Sequence, residues 1–151
     1  MIQLPDAVRI VSTEGNKSVI EIGPLMPGFG ATIANPLRRV LLSSLEGAAV
    51  TSLKIKGVEH EFGAIEGVME DVIQIILNMK KLRFRSFSPD PVIVNLVAKK
   101  EGAVTGEAIE LPTDVELINP EQFICTISGK KASLEMELTI EKGRGYVSAE
   151  Q

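Results

Sequence analysis

The chain has no tryptophan, one tyrosine, one histidine and one cysteine in 151 residues. With five phenylalanines the aromatic fraction is 4%, so the core must be built from Ile, Leu and Val, and stacking platforms for bases or sugars are few. A single cysteine, Cys125, excludes an intrachain disulfide and a multi-cysteine metal site. A thiol without a partner suits a reducing, cytoplasmic setting. An excess of basic charge is also lacking. Sixteen Lys and Arg stand against 20 Asp and Glu, a net charge of −4, which disfavours non-specific nucleic-acid binding through bulk charge. No apolar run approaches the ~20 residues of a membrane helix, so no membrane partner is expected. Met1 to Pro5 has no basic segment followed by an apolar one, and no secretory signal is expected.

What is present is of globular type. Hydrophobic residues make up 44% and charged residues 24%, which excludes disorder and collagen-like repeats. The length suits one ordinary domain or two small ones. Residues 7–12 and 18–22 read as two short strands joined through Gly15 and Asn16, a hairpin. Pro24, Pro27, Gly28 and Gly30 then interrupt regular structure. A helix is expected over 31–45, where Ile33, Leu37, Val40 and Leu41 fall on one face. Thr32 is its candidate cap, Pro36 falls in its first turns and Gly47 ends it. A strand follows at 49–56, then a polar turn from Gly57 to Gly67. A second helix is expected over 68–80, with Val68, Val72, Ile75, Ile76 and Met79 as one stripe. Met69, Ile73 and Leu77 widen that stripe into a face that should be mostly buried. Beyond residue 82 the pattern is all strand: 83–87, 92–98, 103–109, 115–118, 123–128 and 134–140. Without helices between these strands, βαβ units are not expected, and the class is α+β with an antiparallel sheet.

No catalytic constellation stands out, and neither a metal nor a cofactor is expected. His60 and Cys125 are the only residues of their kinds and lie far apart in sequence. Cys125, between Ile124 and Ile127, reads as a buried inert thiol. His60, between Glu59 and Glu61, reads as a charge-paired structural or interface histidine. Gly28-Phe29-Gly30 lacks the GK[ST] ending of a phosphate loop. The densest basic run, Lys80 to Arg85, has four charges in six residues. It allows an alternative reading as a stand-alone nucleic-acid-binding module, against a helix end running into a strand with a wet basic face. Arg38 and Arg39 diverge by ~100° around the helix. They stand beside an apolar ridge with Leu42 off the main stripe, a combination suited to anchoring a protein interface.

The run from Gly28 to Leu45 resembles the signature GFGxTxxNxLRRxLLSS of the bacterial DNA-directed RNA polymerase alpha subunit, amino-terminal domain. It departs from the family at Ala31, Ala34 and Pro36. Further similar segments follow in order: Gly47 to Thr51, Gly57 to Phe62, Gly67 to Val72, Ile76 to Lys80 and Gly143 to Tyr146. The resemblance implies a non-catalytic subunit of a nucleotidyltransferase complex, whose homodimer scaffolds assembly of the beta and beta-prime subunits. DNA would be met only indirectly, through the complex. It implies assembly contacts at Arg38, Arg39 and Leu42, with His60, Glu61, Phe62 and Lys80 as secondary ones. Ile33, Leu37, Val40 and Leu41 would belong to the dimer-interface helix. By the same resemblance, residues 1–46 are the first half of a dimerisation domain (hairpin plus helix). Residues 47–151 are a β-rich antiparallel insert domain with one helix. In the family, more strands, a second long helix, a linker and a DNA-binding domain follow, so this chain is expected to be a fragment or a reduced relative. It is also expected not to form a stable dimer alone.

Overall fold

A computed structural model describes residues 7–15, 17–129 and 132–148. The chain divides into two compact units, Met1–Leu45 with Gly145–Gln151, and Glu46–Arg144.

In the first unit, strands β1 (Ala7–Glu14) and β2 (Lys17–Gly23) form an antiparallel hairpin. Val8 faces Ile22 and Ile10 faces Ile20, while Arg9 faces Glu21 and binds both its carboxylate oxygens at 3.0 and 3.1 Å. A bulge between Ile10 and Ser12 shifts the register toward the turn. Asn16 lies outside the described residues, and Gly15 takes the left-handed φ of 55° that a tight turn requires.

Helix α1 spans Phe29–Ser43, so it starts and stops earlier than the expected 31–45. Thr32 is not its cap. Gly28 is, at φ 87°, with no side-chain hydrogen bond. Pro36 is therefore interior, where it leaves the Thr32 carbonyl without its helical donor. The helix is capped at its C-terminal end by Ser44, whose N–H donates to Val40 O at 2.9 Å, and Gly47 lies within the next strand. No described residue of this unit is buried.

The second unit is the β-rich body with one helix. Its elements are β3 (Glu46–Ile55), α2 (Val72–Met79), β4 (Phe84–Ser86), β5 (Val92–Ala98), β6 (Gly102–Thr105), β7 (Ile109–Glu110), β8 (Val115–Leu117), β9 (Phe123–Ile127) and β10 (Leu134–Arg144). A six-stranded sheet has the order β7-β5-β10-β3-β4-β8, with every pair antiparallel, and β6 and β9 form a separate pair. The fold is thus α+β with an antiparallel sheet. Alternation on β10 sends Leu134, Met136, Leu138 and Ile140 into the core. A bulge between Thr139 and Ile140 restores the inward facing of Val50 and Ala48 on β3.

The expected strand at 103–109 is two strands in different sheets. A 3-10 turn at Gly106–Ala108 separates them. A side chain at Gly106 would meet Leu117 Cδ2 at 2.7 Å and the Pro120 carbonyl at 3.0 Å, so anything larger than glycine would force both neighbours to shift.

Helix α2 begins at Val72, not at 68. Asp71 caps it by accepting from Gln74 N at 2.7 Å. The preceding turn is drawn elsewhere: Met69 N donates to Thr126 O, and the Glu70 carboxylate accepts from Thr126 N at 2.6 Å and pairs with its hydroxyl at 3.2 Å. The broad α2 face is only partly covered. Val72, Ile75 and Met79 are buried, but Met69, Ile73 and Leu77 are exposed. Among the described residues, all the buried apolar ones, from Ile55 to Ile140, belong to this second unit.

Candidate assembly surfaces

On α1 the apolar stripe is open to solvent. Leu37, Val40, Leu41 and Leu42 are 44–62% exposed, and Ile33 is half-buried. Such a run of large aliphatic side chains, each forgoing roughly half of the 1.5–3 kcal/mol that full burial contributes, marks a surface suited to being covered. Leu37, Leu41 and Leu42 line an open hollow of about 350 Å³ together with Ala34 and Arg38. Arg38 thus borders the hollow, whereas Arg39 does not line it. The Arg39 carbonyl accepts from the Ser43 hydroxyl at 2.7 Å in the last turn. The ion pairs among the described residues are Arg9–Glu21, Lys56–Glu135 and Arg85–Glu116. Neither arginine of α1 is in one.

The second unit carries the other predicted contacts. His60 and Glu61 lie on a loop of two tight turns, closed by Val58 N to Ile55 O and Gly63 N to His60 O. Gly57, at φ 82°, opens that loop. Both residues border a cavity of about 420 Å³ whose wall is Leu53, Ile55, Val58, Val72 and Ile76. Phe62 is exposed and does not line it. Lys80 caps the far end of α2, its N–H donating to Ile76 O. The cavity wall had no signature in the sequence, because it draws on β3, the loop and α2. Only the i, i+4 spacing of Val72 and Ile76 hinted at a shared face.

The basic run at 80–85 resolves into a helix end and a pleated strand. Lys81 Nζ donates to Asn78 Oδ1, Leu82 and Phe84 are buried, and Arg85 pairs with Glu116 at 3.1 Å. The Lys56 ammonium, hydrogen-bonded at 2.7 Å, holds the Glu135 carboxyl below the usual carboxylate range. Cys125 is fully buried, and its thiol is pushed up to about 12, first by desolvation and then by the Glu70 charge. Among the described residues no cluster of His, Cys, Asp and Glu is placed to hold a metal ion, and no helix is long and apolar enough to cross a membrane.

The profile of the family described as "RNA polymerase Rpb3/RpoA insert domain" matches residues 53–151. The chain belongs to that family. Curated relatives extend the similarity to nearly the whole chain. The Roseiflexus sp. (strain RS-1) "DNA-directed RNA polymerase subunit alpha" is 47% identical over 144 residues, covering 95% of this chain and 45% of the relative. Proteins of the same name from Beutenbergia cavernae and Moorella thermoacetica are 52% and 53% identical, over 90% and 86% of this chain and 40% and 41% of theirs. The chain therefore spans less than half the length of these relatives.

Proposed function

We propose that this chain is the assembly portion of a bacterial RNA polymerase alpha subunit, non-catalytic itself, acting in the cytoplasm as a scaffold for transcription machinery. In this reading residues 1–46 are half of a dimerisation domain and 47–151 an insert domain. Ile33, Leu37, Val40 and Leu41 meet a second alpha subunit. Arg38, Arg39 and Leu42 anchor the beta or beta-prime subunit, with the His60-Glu61-Phe62 turn and Lys80 as flanking contacts. The observation that carries it is the α1 surface: large aliphatic side chains left open beside two arginines that join no ion pair among the described residues. Apolar groups ringed by arginine are what interface anchors are made of. The family and the names of the relatives support the same reading.

The test is Arg39→Ala in a complete subunit. Removing a central arginine anchor costs at least ~2 kcal/mol of binding. The variant should dimerise normally by light scattering yet fail to retain the beta subunit in a pull-down. Retention equal to wild type would contradict the assignment.

A further inference from the structure

The cavity beside the His60 loop has a chemistry of its own. Its wall is aliphatic throughout, with Ile55 and Val72 already in the core and Leu53, Val58 and Ile76 half-buried against it. At about 420 Å³ it has the size of a pocket for a large side chain or a small ligand. Its rim is charged. Glu59, His60, Glu61 and Lys54 border the cavity, and all four are exposed. Neither glutamate is in any of the ion pairs among the described residues. Two carboxylates against one ammonium give the mouth a negative balance over an apolar floor. A partner seated there must supply an apolar side chain to fill the wall and positive charge to meet the rim.

We propose that this cavity is a docking pocket for a polypeptide segment in which a large apolar anchor is flanked by arginine or lysine. The proposal rests on the reading of the His60 turn as an assembly contact and gives that contact its chemistry. The two tight turns of the loop hold the glutamates in place before binding, so little ordering is lost when the segment arrives. The wall belongs to the well-packed unit, so the pocket persists without its occupant.

Nuclear magnetic resonance titration of the 151-residue chain tests it with two blocked peptides. Each carries a central leucine–phenylalanine pair, flanked in one by arginines and in the other by glutamates. The arginine peptide should shift the amides of Leu53, Val58, His60, Val72 and Ile76, and bind about fivefold tighter than its acidic counterpart, the size expected of two exposed charge pairs. The double variant Glu59→Lys/Glu61→Lys, confined to exposed positions, should reverse that order. Equal binding of both peptides, or shifts elsewhere on the chain, would overturn the proposal. A parallel pull-down of the beta and beta-prime subunits by a complete subunit carrying the double variant separates the two claims. Reversal of peptide preference with undiminished recruitment upholds the pocket and removes it from assembly. Lost recruitment without peptide discrimination keeps the assembly contact and refutes the pocket's selectivity.

Discussion

Cys125 shows how a residue's environment becomes a pH dependence. Its thiol sits among apolar side chains with the Glu70 carboxylate close by, and both raise its pKa, from 9.0 to about 12. In the unfolded chain the thiol ionises above pH 9.0, whereas in the folded chain it stays protonated up to about 12. Between those values the unfolded state binds fewer protons, so stability falls as pH rises. The contribution is fully present below pH 9.0 and lost as pH climbs through about 12. Cys125→Ala removes this dependence at the cost of a small cavity, about 1 kcal/mol. Urea denaturation at pH 8 and pH 10 should show wild type losing stability relative to the variant at the higher pH. A difference independent of pH would mean that the thiol is solvated. Burial of this residue was legible from its apolar neighbours. The Glu70 clamp on Thr126 was not, since it joins residues 56 positions apart.

Elements were legible where one periodicity ran without competition. Strand β10 alternates strictly, and its inward set was readable residue by residue. Legibility failed where a side chain or glycine redirected the backbone. The Asp71 cap cut the second helix short, Gly106 split one apparent strand into two, and the bulges in β1 and β3 left no pattern of their own. The apolar breadth of α2 was misread for a different reason. Periodicity says which residues share a face, not whether anything covers it, and Met69, Ile73 and Leu77 are uncovered. Gly67 offers a test at this scale. It holds φ 76°, and a Cβ there would collide with the Ala132 methyl. Gly67→Ala should cost ~1–3 kcal/mol from backbone strain alone, read as a lower urea midpoint with an unchanged slope. An unchanged midpoint would show that the loop relaxes freely.

At the scale of the whole molecule, burial is unevenly shared. Among the described residues, the second unit holds all the buried apolar ones, and none of the first is buried. Hydrophobic burial is the main favourable term in folding. The second unit can therefore stand on its own contacts, while the hairpin and α1 depend on whatever covers them, because a lone two-stranded hairpin and an isolated helix of this length are both marginal in water. This asymmetry is the physical core of the proposed role, since a surface that is stable only when covered couples folding to assembly. Hydrogen exchange across Phe29–Ser43 tests that most directly, comparing a complete subunit alone at high dilution with the same subunit assembled with beta and beta-prime. Amides around Leu37 to Leu42 should exchange freely in the dilute state and become strongly protected on assembly, while those of β10 should be protected throughout. Equal exchange of α1 in the two states, or protection gained only in the second unit, would contradict it.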